Sequence, residues 1–226
     1  MNDHPKHNPR LRQTVIVAVC VLAVLLFLYL LLRDRPGSAS DYLDDSAPYT
    51  FDSSASRTFR TVDSRLAVVS SSGLQLLDEN GKTVLHEIFT LSQPGISVGG
   101  ERVCAYDIGG TDVYVLNAHG LVRRITCGGE ILSVTLTQEG RLAVTINERG
   151  YKAAVEVYDE DGVKEFAFHS ADSFLMTASV SGDGQEMAAA TMGQSQGAFT
   201  SSVVLYKLNR QDPYASCDLA GVAVYD

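Results

Sequence analysis

The side chains best suited to chemistry are carboxylates gathered at three places: Asp78 with Glu79, Asp159 with Glu160 and Asp161, and Asp183. Oxygen-rich loops of this kind suit Ca²⁺, but the spacing of an EF-hand is absent. Asp at the first position of a tight turn with Gly at the fourth, as in Asp78 to Gly81 and Asp159 to Gly162, is ordinary hairpin chemistry. The histidines, His4, His7, His86, His119 and His169, show no pair at metal-ligand spacing; His119 falls in a turn and His86 and His169 at strand ends. Serine is abundant, yet there is no G-x-S-x-G elbow and no glycine-rich phosphate loop. Arg123 and Arg124 offer an anion contact, but adjacent residues on a strand point to opposite faces. These residues assign no catalytic site, no cofactor and no metal.

The elements that carry them repeat. VEVYDEDGVKEFAF, Val155 to Phe168, reads as strand, acidic turn and strand, with Val155 and Val157 alternating with Glu156 and Tyr158. That is a β-hairpin. The same unit stands at Leu74 to Leu85 and Asp112 to Ile125, and in looser form at Val203 to Ser216. A pair of short strands precedes each hairpin: Thr58 to Val62 and Leu66 to Val69, Ile96 to Val98 and Val103 to Tyr106, Ile131 to Leu136 and Leu142 to Ile146, and Met176 to Val180 and Met187 to Ala190.

Aligning the second strands sets Leu66, Val103, Leu142 and Met187 in one column and Ala67, Cys104, Ala143 and Ala188 in the next, with steps of 37, 39 and 45 residues. Four strands at a period of about 40–45 residues is the pattern of a β-propeller blade, whose apolar faces are covered by its neighbours. The expected fold is all-β, a propeller-like repeat of four-stranded antiparallel blades at about 57–91, 95–128, 131–170 and 174–219. GVAVYD, residues 221–226, reads as the start of a fifth. The last hairpin aligns in two registers, Tyr206 matching either Tyr114 or Tyr158; a slip of two keeps every side chain on its face. The small residues of MAAATM, 187–192, suggest crowding near a central axis.

Ahead of the repeat the composition changes. Residues 1–13 are polar and basic, a short tail, and TVIVAVCVLAVLLFLYLLL, residues 14–32, has no charge, Gly or Pro. Nineteen residues at about 1.5 Å each span a bilayer core of about 30 Å. A cleaved signal peptide is the competing reading, but the apolar run exceeds an h-region and charges follow it before GSAS. The short basic tail before a large trailing domain places the N-terminus in the cytosol and the domain outside. Residues 33–56, rich in Ser, Asp and Pro, read as a flexible linker, although Tyr49 to Phe51 could join a sheet. The formal net charge is −9; residues 1–35 carry +3 and leave −12 on the rest, which excludes nucleic acid as a partner. Of four cysteines, Cys20 lies in the apolar run, and Cys104, Cys127 and Cys217 show no C-x-x-C pair. Cys104 and Cys127 could meet across one sheet; buried free thiols are the preferred reading.

The turns VYDEDGVKEF and LLDENGKTVL, with GDGQEMAAA before a hairpin, resemble WD-repeat-like and PQQ-repeat-like propellers. The layout of basic tail, membrane helix, acidic tether and blades containing LAVVSSSGLQLLD resembles a family of membrane-anchored bacterial proteins of unknown function with a propeller-like domain. That family supplies no catalytic residues. The sequence departs from the wider classes in having no Trp, so the Trp-Asp dipeptide and the Trp that docks between PQQ-type blades are absent. Residues 57–226 hold about four blades and one strand; the piece of a larger ring is preferred over closure within the chain. The expected function is a membrane-anchored, extracytoplasmic interaction or scaffold module of the cell envelope with a protein partner, not an enzyme. The alternatives are a small-ligand-binding sensor ectodomain and a propeller-type hydrolase or lyase.

Overall fold

A computed structural model describes residues 56–195 and 198–220, together with Leu22. Tyr49 to Phe51, the fifth strand expected over 221–226 and the apolar run 14–32 lie outside these residues, Leu22 apart. Among the described residues no helix is long and apolar enough to cross a membrane. The chain divides into two compact units, 1–47 and 48–226, and the strands belong to the second.

Its described residues are all-β: sixteen strands form four antiparallel sheets of four, each a meander in chain order. Sheet 1 holds β1 (Arg57–Val62), β2 (Arg65–Ser70), β3 (Gly73–Leu77) and β4 (Thr83–Ile88). Sheet 2 holds β5 (Pro94–Gly99), β6 (Arg102–Asp107), β7 (Asp112–Asn117) and β8 (Gly120–Thr126). Sheet 3 holds β9 (Glu130–Leu136), β10 (Leu142–Asn147), β11 (Ala153–Tyr158) and β12 (Lys164–Ser170). Sheet 4 holds β13 (Phe174–Val180), β14 (Glu186–Ser195), β15 (Ala198–Lys207) and β16 (Pro213–Ala220).

The two columns of the repeat are the two faces of each sheet. Ala67 and Val103 share one core between sheets 1 and 2. Cys104 and Leu142 share the next, between sheets 2 and 3, and Ala143 and Met187 the third, between sheets 3 and 4. Each sheet therefore has a backward face turned to its predecessor and a forward face turned to its successor. Because both faces are covered, strands such as β11 are buried at every residue, unlike a strand with one wet side.

The first strands β1, β5, β9 and β13 pack on one another in series. Leu136 N–H donates to Ser97 Oγ at 3.1 Å, and Thr135 Oγ1 donates to the Ala178 carbonyl at 2.6 Å. MAAATM therefore lies one strand further out than its small residues suggest, on β14; Ala189 is small because it sits in the core under sheet 3. The register of the last hairpin is settled by Met187 facing Tyr206 as Leu142 faces Tyr158, so Tyr206 matches Tyr158 and not Tyr114.

A bulge recurs at one point of every hairpin, between Leu76 and Leu77, Val115 and Leu116, Val157 and Tyr158, and Leu205 and Tyr206. In sheets 1 and 3 the residue that completes the turn is Gly81 (φ 75°) or Gly162 (φ 83°). This is the bulged turn that fits the right-handed twist of the flanking strands, and its left-handed position favours Gly.

Candidate functional surface

In an antiparallel meander the first and third turns lie at one rim, and the carboxylates of Asp78 with Glu79, of Asp159 to Asp161 and of Asp183 fall there. Asp78 Oδ1 accepts the Asn80 and Lys82 N–H groups at 3.0 and 2.9 Å. Asp159 Oδ1 accepts those of Asp161 and Val163 at 3.0 and 2.8 Å. Asp183 Oδ1 takes the Ser181 hydroxyl at 2.6 Å and the Gln185 N–H at 3.0 Å; these two donors hold its carboxyl below the usual range. One oxygen of each Asp is thus used in shaping its own turn. Among the described residues no three His, Cys, Asp or Glu side chains are grouped to hold a metal. Excess chelator is expected to leave the melting temperature unchanged, while Asp159→Ala lowers stability by about 1 kcal/mol through loss of the turn bonds; thermal melts with and without chelator check both.

The histidines lie apart. His86 is exposed in the middle of β4, opposite Gln75, rather than at a strand end. The His119 N–H donates to Asn117 Oδ1 in its turn. His169 Nε2 stands 3.0 Å from Glu148 Oε2 with its ring against Tyr151. The arginine pair divides as strand geometry requires. Arg124 reaches Asp112 at 2.7 Å and lies over the Tyr114 ring. Its hydrogen bond, chiefly, holds the Asp112 carboxyl down. Arg123 turns the other way and its Nη2 donates to the Gly140 carbonyl at 2.5 Å.

That bond belongs to a latch. Arg102 Nη1 donates to the Glu139 carbonyl at 2.8 Å, so two arginines of sheet 2 hold the first turn of sheet 3. One repeat on, Arg141 lies beneath Gly184 in the first turn of sheet 4 and pairs with Glu165. The signal was present in the sequence, since Arg65, Arg102 and Arg141 each precede a residue of the Leu66 column, and Glu186 breaks the pattern in sheet 4.

A buried polar cluster was not foreseen. Glu156, 4% exposed, faces sheet 2, where its carboxylate accepts Tyr158 OH at 2.6 Å, Lys164 Nζ at 2.7 Å and the Gly128 N–H at 3.2 Å. Burial raises its pKa, but these three donors outweigh burial and hold the carboxyl below the usual range. Burial and then Glu156 push the Tyr158 hydroxyl up. Burial and then Glu156 also push the Cys127 thiol up to about 12. Cys104 and Cys127 are free and buried, whereas Cys217 is free and exposed. The cluster joins β11 and β12 of sheet 3 to the connection that leads in from sheet 2.

A solvent-open groove of about 500 Å³ lies between β12 of sheet 3 and the outer strands of sheet 4. Phe168, Val204 and Tyr206 supply its apolar side, and Thr191, Ser202 and Asp218 its polar side. The Ser202 hydroxyl donates to Asp218 at 2.7 Å.

Solved propellers have the same fold. The β-propeller domain of Myceliophteria thermophila Cps50 (Swd1) superposes with a TM-score of 0.54 at 12% identity, over 77% of this chain and 58% of that one. Kluyveromyces lactis Hsv2 gives 0.51 at 12% identity, over 69% and 49%. The Neurospora crassa Pan2 WD40 domain gives 0.49 at 14% identity, over 75% and 53%. The chain thus spans about half the length of the propellers it matches. A comparison with curated sequences finds no match. The model of a family of unknown function, DUF5711, matches residues 44–217, most of the chain, and the chain belongs to this family.

Proposed function

We propose that the protein is a membrane-anchored, extracytoplasmic interaction module of the cell envelope. A propeller-type frame of packed sheets presents grooves and turns without large motion of its own, which suits recognition of another protein. The observation that carries the reading is the groove between sheets 3 and 4. Its apolar floor beside hydroxyls and one carboxylate has the mixed character of a protein interface, and it is open rather than enclosed. Residues 14–32 supply the anchor and residues 33–56 the tether, with the basic tail inside the cell.

The test is made in intact cells carrying the full-length chain. A photo-activated side chain at Ser216, in the groove, is expected to give one discrete protein adduct, and the same group at exposed Val163 on the turn rim none. A membrane-impermeant maleimide is expected to label Glu160→Cys in a Cys217→Ser background without lysis. Labelling only after lysis would place the domain in the cytosol, and adducts at neither position would remove the groove as an interface.

A further inference from the structure

The groove between sheets 3 and 4 has one wall made of main chain. β12 stands last in the order of its sheet, and among the described residues no strand pairs with its outer edge. The Ala167 carbonyl shows which groups that edge presents, because it accepts Gln211 Nε2 from the last turn of sheet 4 at 3.3 Å. In an antiparallel pair the outward-turned groups belong to every second residue. Ala167 and His169 therefore present N–H and C=O at the edge, while Phe168 between them pairs inward with Val155.

Side chains of sheet 4 supply the opposite wall in two steps. The Phe168 ring lies 4.5 Å from that of Tyr206, and Val204 stands next along β15, opposite Ser216. One further step, about 7 Å along the strands, sets Ser202 opposite Asp218. A strand laid against the edge of β12 turns alternate side chains toward sheet 4. One of them meets Phe168 and Val204, and the next, two residues on, meets Ser202 and Asp218. The charge at that second place is negative. Asp218 is exposed, and Asp172 adds a second acid where the chain leaves β12. No Lys or Arg lines the groove, and its one histidine, His169, stands 3.0 Å from Glu148.

We propose that the groove binds an extended segment of a partner protein, which joins sheet 3 as a further strand beside β12 and carries an apolar residue followed, two positions on, by Lys or Arg. The proposal rests on the reading of the groove as an interface and names the chemistry that holds the partner. Main-chain bonds to Ala167 and His169 supply affinity without sequence preference. The surface of Phe168, Val204 and Tyr206 takes the apolar side chain, and Asp218 selects the cation. Gln211 is exposed, so its amide turns to water and releases the Ala167 carbonyl to the incoming strand.

Fluorescence anisotropy of the full-length chain in detergent tests this with a labelled peptide, Thr-Val-Thr-Lys-Thr-Val-Thr, whose Val and Lys side chains share one face of a strand. The expected result is saturable binding with a midpoint below about 1 mM. Glu in place of the peptide's Lys weakens it about tenfold, and Asp218→Lys reverses that preference. N-methylation of the Thr residues, or else of the Val and Lys residues, removes the N–H groups of the paired edge and abolishes binding. In the wild type the peptide slows hydrogen exchange at Ala167 and His169 by about tenfold or more and leaves β8 unchanged, a readout that needs no variant to fold. The melting temperature checks that Asp218→Lys is folded. Absence of saturable binding up to about 1 mM, equal binding of both methylated forms, or unchanged exchange at Ala167 and His169 overturns the proposal. If Ser216 still gives its adduct in cells, the added strand alone fails and the interaction reading stands; if it gives none, both fail.

Discussion

Glu156→Ala is expected to lower the unfolding free energy by about 3 kcal/mol, the lower end of the range for breaking a buried ion pair. The carboxylate is buried, and its removal leaves Tyr158 OH, the Gly128 N–H and Lys164 Nζ without their acceptor. Lys164 is half-exposed, so water compensates the ammonium and the loss falls mainly on the other two groups. Glu156→Gln keeps an acceptor in place and costs less, about 1–2 kcal/mol. The two variants differ most in acid. The folded-state pKa of Glu156 is lowered, so its contribution is present above the unfolded value near 4.5 and is lost as pH falls through the folded value. Urea midpoints of the wild type therefore drop between about pH 6 and about pH 3 by more than those of Glu156→Gln. Equal acid sensitivity in the two proteins would show that Glu156 is not held as an anion.

The residues explain why some of this architecture could be read in advance and some could not. The step from Leu66 to Val103 to Leu142 to Met187, with a small residue after each, is a covalent record of which side chain faces which neighbour. Packing then follows it without exception through three cores. The tight turns could be read for the same reason, since Asp78 and Asp159 act on residues two and four positions away. Glu156 could not, because its fate depends on Gly128, twenty-eight residues distant in the connection between sheets 2 and 3. Alternation within β11 separates two faces but does not say that both are covered. The groove is harder still, being a property of how far two outer strands splay rather than of any one side chain. The arginine latch lies between these cases: its column is visible in the sequence, but its acceptors are main-chain carbonyls of the next sheet, which leave no residue type to recognise.

The second large effect is expected at Gly99, the last residue of β5. Gly99 is buried and its φ lies outside the left-handed region, so a side chain there meets no backbone strain of its own. What it meets is sheet 3: a Cβ would run into the Leu136 and Thr137 carbonyl oxygens. These atoms are main chain and cannot rotate away. Relief requires moving the first turn of sheet 3, the turn that Arg102 and Arg123 hold. Overpacking of this kind costs about 1–3 kcal/mol for one methyl group, and Gly99→Val, with two more carbons against the same carbonyls, is expected to reach about 4 kcal/mol. Gly109→Ala is the control. Gly109 has a positive φ of 83° but open space around its Cβ position, so only the conformational cost of about 1 kcal/mol is expected. In an array whose sheets are stabilised by their neighbours, the broken junction has a further consequence. Sheets 1 and 2 then unfold apart from sheets 3 and 4, and the single transition of the wild type becomes two in Gly99→Val. Hydrogen exchange read strand by strand distinguishes this from uniform loss: β9 and β10 lose protection first if the junction fails, and all sixteen strands lose it together if Gly99 acts only through global stability.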